Sequence, residues 1–202
     1  IVNPAAGRRR AARIAPSIRQ LLEARGISTT IVHCKDVGDL EERVFEAARD
    51  GAATIVIAGG DGSVHEAVNG LMRAGADARL GLVPVGTGND FAKASGIPLD
   101  WKTATTGLAQ LIGEKRSARR IDLGLMNGRW FANGAGIGFD AKINRIARKY
   151  RLPIGDLVYL FAVFEGLWDG VITPHVSMRF GNEHLDGPIT LANISNGPWV
   201  GG

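Results

Sequence analysis

Ala53-Thr-Ile-Val-Ile-Ala-Gly-Gly-Asp-Gly-Ser-Val-His-Glu66 is the stretch that decides the fold. Its first six residues are almost wholly apolar, the composition of a strand covered on both faces, as in a parallel sheet. Gly59-Gly60-Asp61-Gly62 then bends the chain sharply, and Ser63 with Glu66 has the spacing of a capping box that opens a helix. Val64, Val68, Leu71 and Met72 share one face of that helix. Leu80-Gly-Leu-Val83 follows as a second buried strand, which completes a βαβ unit.

The same alternation extends outward in both directions. Ile1-Val2 is the end of a strand that runs into Asn3-Pro-Ala-Ala-Gly7. A helix comes next, with Ile14, Ile18, Leu21 and Leu22 on one face, Pro16 as a source of kinking and Gly26 as its stop. Ile27–His33 is expected as a strand, and Asp39 with Glu42 three residues on is expected to cap a helix that Gly51 ends. A short helix near Asp90–Ser95 and a longer one from about Trp101 to Ile112 complete the series. Residues 1–116 are therefore expected to be an α/β domain, a doubly wound and mostly parallel sheet.

Beyond residue 116 the pattern changes. Arg119–Met126 and Arg129–Asn133 flank Asn127-Gly128, a strong two-residue hairpin signal. A helical stretch is expected from about Asp140 to Asp169. Thr173–Phe180 and Pro188–Ile194 then flank a loop that begins Gly181-Asn182. Hairpins in place of crossovers predict a β-rich antiparallel domain over residues 117–202. Asn196-Gly-Pro-Trp-Val-Gly-Gly202 reads as a loop, so the C-terminal part of this domain is expected to be missing.

With 45% hydrophobic and 22% charged residues among 202, the composition is that of a globular protein and not of a disordered or coiled-coil chain. The net charge of +4 is spread evenly over both halves, which argues against nucleic acid as a partner. The longest apolar run, Leu157–Phe164, is far short of the ~20 residues that span a bilayer. No secretory pattern opens the chain, and the single cysteine, Cys34, has no internal partner for a disulfide; a cytoplasmic protein is expected.

The 28 glycines are clustered, and clustered glycine after strands brings backbone close to a ligand. Three such loops follow successive strands: Asn3–Gly7, Gly59–Ser63 and Gly86-Thr-Gly-Asn-Asp90. In an open α/β sheet, ligands bind outside the carboxyl ends of the strands. None of the loops, nor Gly134-Ala-Gly-Ile-Gly138, has the Walker or the dinucleotide-binding spacing. Backbone amides at the bend into a helix favour phosphate, while Asp61 in the same loop repels it unless a divalent cation intervenes. A magnesium–nucleotide complex satisfies both; a plain tight turn capped by Asp61 is the alternative for that loop taken alone.

Asn3-Pro-Ala-Ala-Gly7, Gly59-Gly-Asp-Gly-Ser-Val-His-Glu-Ala-Val-Asn-Gly-Leu71 and Pro84-Val-Gly-Thr-Gly-Asn-Asp-Phe-Ala92 closely resemble the catalytic domain of diacylglycerol kinases and related bacterial lipid kinases. Arg120-Ile-Asp-Leu-Gly124 and Asn133-Gly-Ala-Gly-Ile-Gly-Phe-Asp140 continue the likeness. GGDG alone is shared with NAD kinases and phosphofructokinases, whereas proline-x-GT-x-ND is characteristic of the lipid kinases. The resemblance implies ATP contacts at Asn3, Pro4, Ala5, Ala6 and Gly7, at Gly60, Asp61, Gly62, Ser63, Val64, His65 and Glu66, and at Thr87. A further contact, often threonine in the family, falls on Cys34; a thiol is a poorer hydrogen-bonding group, and a buried small side chain at a strand end fits Cys34 equally. Ser63 replaces the commoner threonine and keeps its hydroxyl.

The resemblance also implies that Asp61, Asp90 and Asp122 act in catalysis by holding Mg2+, partly through water, although Asp90 also reads as a helix cap and Asp122 as a salt-bridge partner. The family's general base, an aspartate in a DGE motif, is expected beyond Gly202; Asp186-Gly187-Pro188 departs from that motif and lies too early. His65, on a first helical turn, is read as surface and not as the base.

The implied activity is transfer of the γ-phosphate of Mg-ATP to a lipid hydroxyl, most simply diacylglycerol to phosphatidic acid. A NAD kinase and a non-catalytic nucleotide or lipid sensor are the rivals. Arg8, Arg9, Arg10 and Arg13 sit beside the first loop, within reach of phosphate or as solvated surface. Lys142, Arg145, Arg148, Lys149 and Arg151 share a stretch with Ile143, Ile146 and Leu152, a basic amphipathic pattern suited to anionic lipid. Peripheral contact at the inner face of the membrane is thus expected, and edge strands of the second domain offer a route to a homodimer.

Overall fold

The computed structural model describes residues 1–36, 38–139, 142, 143, 146, 156–168, 170, 171 and 173–199. Two compact units divide the chain, Ile1–Asn133 with Asn196–Gly202, and Gly134–Ser195.

The first unit is built on β1 (Thr54–Gly59) and β2 (Arg79–Pro84), which pair in parallel from Thr54 with Arg79 to Gly59 with Pro84. Val2 bridges both His33 and Ala58 in parallel, so the sheet runs His33, Val2, β1, β2. Successive side chains of a strand point to opposite faces. Ile55 and Ile57 accordingly pack with Leu82 beneath α2 (Asp39–Arg49) and α3 (Asp61–Ala74). Val56 and Ala58 pack with Val83 against α1 (Ala6–Glu23) and α5 (Trp101–Gly113). Helices on both faces of a parallel sheet confirm the doubly wound expectation. A short α4 (Asp90–Ala94) links β2 to α5, whose N-cap Asp100 accepts from Thr103 N at 2.9 Å.

Local corrections follow from tertiary contacts. Ile27–His33 forms no regular strand beyond the bridge at His33. Neither expected capping box closes. Gly38 is the N-cap of α2, and the Asp39 carboxylate turns back to accept from Lys35 N at 2.8 Å. Helix α3 opens two residues before Ser63, at Asp61, which leaves Ser63 inside the first turn. Segment 117–123 is irregular, and only β3 (Gly124–Met126) and β4 (Arg129–Phe131) form the hairpin. Asn127 and Gly128 both have positive φ, +50° and +76°, as the tightest hairpin turn requires.

This hairpin lies within the first unit, so the change of pattern at residue 116 is not where the units divide. Asn69 of α3 explains its attachment. The buried amide accepts from Trp130 N at 3.0 Å and donates to Trp130 O at 2.9 Å. Arg129 adds two bonds to Glu41, at 3.2 and 2.7 Å. Gly70 lets α2 and α3 close up, because a Cβ there would lie 2.4 Å from Glu41 O.

In the second unit β5 (Gly134–Gly138) pairs antiparallel with β8 (Leu191–Ser195), and β6 (His175–Phe180) with β7 (Glu183–Pro188). The loop expected after Gly181-Asn182 is therefore itself a strand. Its helix α6 (Asp156–Trp168) buries Ala162 with Ile143 and Ile146 and exposes Phe161, Phe164 and Trp168. Of the expected basic helix, Lys142 donates to Gly166 O and Gly170 O at the end of α6. Arg145, Arg148, Lys149 and Arg151 lie outside the described residues.

Candidate active site

The three glycine loops emerge at the carboxyl edge of the parallel sheet and are fastened to one another. In the first, Asn3 Oδ1 accepts from Ala5 N at 3.0 Å, and Asn3 Nδ2 donates to Ser63 Oγ at 3.2 Å. Gly7, Arg8 and Arg9 then form a left-handed turn, φ +57°, +57° and +68°, before α1 becomes regular. A Cβ on Gly7 would lie 2.0 Å from the Val85 carbonyl, so the first loop is pressed against the strand that carries the third.

The second and third loops touch backbone to backbone. A Cβ built on Gly60 would lie 2.8 Å from Gly86 Cα, and one on Gly86 would lie 2.5 Å from Gly60 Cα. Gly62, in contrast, is exposed and faces open space, so its lack of a side chain serves no packing within the described residues. Asn89 closes the third loop on itself, and Thr87 is exposed at its tip. The Asp61 carboxylate accepts from Phe91 N at 3.0 Å, which caps α4 from across the site, where Asn89 as N-cap offers no side-chain bond.

The predicted contacts fall into two groups. Asn3, Pro4, Ala5, Ala6, Gly7, Gly60, Asp61, Gly62 and Thr87 all lie on the three loops or on the first helical residues that follow them. Ser63 is buried with its hydroxyl against Gly59 and Asn3, and Val64 belongs to the core. Glu66 turns away: its half-buried carboxylate faces the backbone amides of Gly38, Leu40 and Glu41 at the start of α2. Burial still holds its pKa above the usual carboxylate range, with those amides opposing. Cys34 sits in the core with Leu40 and Val44, and burial, reinforced by the nearby Asp39 carboxylate, pushes its thiol up to about 11. His65 is exposed on the first turns of α3.

Asp90 is buried at the start of α4, with Lys93 Nζ at 3.4 Å. Asp122 is exposed in the irregular segment, and its carbonyl accepts from Asn196 Nδ2 at 2.6 Å. With Phe91, Ser95, Arg119 and Arg120 it lines a cavity of about 220 Å³. Phe91 thus links the Asp61 carboxylate to the cavity wall that carries Asp122. Among the described residues no three histidine, cysteine or acidic groups gather closely enough to hold a metal directly. Carboxylate oxygens are the hard donors magnesium prefers, and magnesium keeps several of its waters.

Gly86, Asn89 and the Phe91 amide were not singled out from the sequence. The signal was present in one of them: an asparagine within a glycine loop is a residue that tolerates left-handed backbone.

Residues 1–126 match the family described as the diacylglycerol kinase catalytic domain. The chain belongs to that family. The diacylglycerol kinase of Bacillus subtilis is 33% identical over 205 residues, covering 100% of this chain and 65% of the relative. That of Mycobacterium tuberculosis H37Rv is 31% identical over 207 residues, with the same two coverages. A Pseudomonas aeruginosa PAO1 protein named "Probable lipid kinase YegS-like" is 40% identical over 124 residues, 61% of this chain and 39% of its own. A crystal structure of a diacylglycerol kinase from Bacillus anthracis superposes with a TM-score of 0.71 at 27% identity, over 98% of this chain and 63% of that one. The chain thus spans at most about two thirds of these relatives' length. Membership of the family bears out the resemblance, and the likeness to the solved structure bears out the fold class read from the sequence.

Proposed function

We propose that this chain handles the nucleotide in a lipid kinase that moves the γ-phosphate of Mg-ATP to a lipid hydroxyl, with diacylglycerol as the leading acceptor. The observation that supports this most is the fastening of three glycine loops at one sheet edge in a member of the diacylglycerol kinase family. Phosphoryl transfer calls for positioning and charge stabilisation more than for covalent chemistry. Backbone amides of the loops hold phosphate oxygens, and the openness at Gly62 leaves room for them. Asp61, Asp90 and Asp122 would hold magnesium through water, and the ion would neutralise charge on the phosphates. Proton abstraction from the acceptor is assigned to none of the residues described.

The kinase is read as cytoplasmic and peripheral to the membrane. No helix among the described residues is long and apolar enough to cross one.

The test offers diacylglycerol, a sphingoid base, an undecaprenol and NAD in parallel to the intact gene product, with γ-labelled ATP, magnesium and anionic mixed micelles. Label in diacylglycerol supports the reading, and label in another lipid keeps the reaction and changes the substrate. Label in NAD, or none with ATP still bound, overturns it. Asp61→Asn keeps an oxygen for Phe91 N and removes the charge. The expected outcome is loss of transfer with the melting temperature nearly unchanged.

A further inference from the structure

The loop that carries Thr87 and Asp90 is shut by a side chain with no part in the contacts proposed so far. Asn89 is buried and stands in the left-handed region at φ +54°. Its Oδ1 accepts from the Gly86 N–H at 3.1 Å, and its Nδ2 donates to the Gly86 carbonyl at 2.8 Å. One amide therefore satisfies both backbone groups of the glycine that meets Gly60 across the site. The Asn89 carbonyl in turn accepts from Lys93 N at 3.0 Å, which opens α4 one residue before Asp90.

The demands on this position are narrow. The backbone conformation suits glycine, asparagine or aspartate, and only asparagine brings an acceptor and a donor to the two groups of Gly86. Aspartate keeps the acceptor and sets a charged oxygen against the Gly86 carbonyl. Glycine keeps the conformation and loses both bonds.

We infer that Asn89 is the positioning residue of this site: by clamping Gly86 it fixes where Thr87 is presented, where Asp90 starts α4, and how Gly86 lies against Gly60. The clamp stands on the hydrogen bonds alone, and it rests on the kinase reading only for the identity of the ligand.

The test compares wild type, N89G and N89D by three measurements: melting temperature, exchange of the Gly86 amide without ligand, and calorimetric affinity for Mg-ATP. Loss of a buried hydrogen-bonded pair is expected to speed Gly86 exchange and to weaken Mg-ATP binding by about tenfold each in N89G. N89D, although closer in shape, is expected to lose more affinity than N89G. If N89G does not fold, N89D gives the same comparison on its own. A purely structural asparagine would lower the melting temperature and speed Gly86 exchange yet leave the affinity for Mg-ATP unchanged well below the midpoint, which overturns the inference. A wild type that fails to bind Mg-ATP, while N89G still speeds Gly86 exchange, overturns the kinase reading and leaves the clamp in place.

Discussion

The two units of this chain treat apolar surface in opposite ways. The first sandwiches a parallel sheet between helices, and Leu40, Val44, Ile57 and Val83 are fully buried on its two sides. In the second, the described core is Ile143, Ile146 and Ala162, while Phe161, Phe164 and Trp168 stand exposed on α6, Trp168 at 92%. Crossover helices oblige a parallel sheet to cover both faces, whereas paired hairpins leave a face open. The contrast shows where rigidity is built: the loops proposed to take the nucleotide hang from the unit whose strands cannot shift without disturbing two cores.

The sharpest way to break the comparison is a pair of truncations. Leu40→Ala, at 1% exposure, is expected to cost about 2–5 kcal/mol of unfolding free energy through transfer and cavity terms. Phe164→Ala, at 63% exposure, is expected to stay within about 0.5 kcal/mol. Urea denaturation of both variants measures the difference; comparable losses would mean the α6 face is as load-carrying as the sheet. Next in size is Gly70→Ala, whose Cβ would lie 2.4 Å from Glu41 O and 3.0 Å from Val44 Cβ. Parting α2 from α3 is expected to cost about 1–3 kcal/mol in the same assay.

Smaller effects come from titration. The hydrogen bond from Arg129 holds the Glu41 carboxyl below its ordinary value near 4.5. A depressed acid stabilises the fold above that value and loses the contribution as pH falls through the folded-state pKa. Glu41→Gln is therefore expected to flatten the acid limb of the melting curve. Cys34 has the opposite sense. Its thiol is raised from 9.0 to about 11, so its neutral form stabilises the fold below pH 9, and the contribution is lost as pH rises toward 11. Cys34→Ala should show a shallower alkaline decline than wild type between those limits, and equal slopes would remove Cys34 as the cause.

The elements whose order and type depend on local pattern were legible in the sequence: β1, β2, the helices of the first unit and the Asn127-Gly128 turn. What was not legible depends on partners distant in the chain. Ser63 and Glu66 have the spacing of a capping box, yet Ser63 bonds Asn3 and Glu66 faces the start of α2, because neighbours supplied by the fold compete for the same side chains. Ile27–His33 has a strand's composition but bridges Val2 only at His33. At the site, loop membership was readable, whereas the reason Gly60 must be glycine lies in Gly86, 26 residues on in the chain. Aspartate spacing likewise gave no hint that Asp61 would cap α4.

The amide of Asn69 has a consequence outside the site. By accepting from Trp130 N and donating to Trp130 O, it fills the hydrogen-bonding positions that β4 turns away from β3. An open strand edge is a template on which another chain can add a strand. Here one side chain from a helix imitates the backbone of that missing neighbour and plugs the edge, so a two-stranded ribbon can persist without inviting aggregation at Trp130.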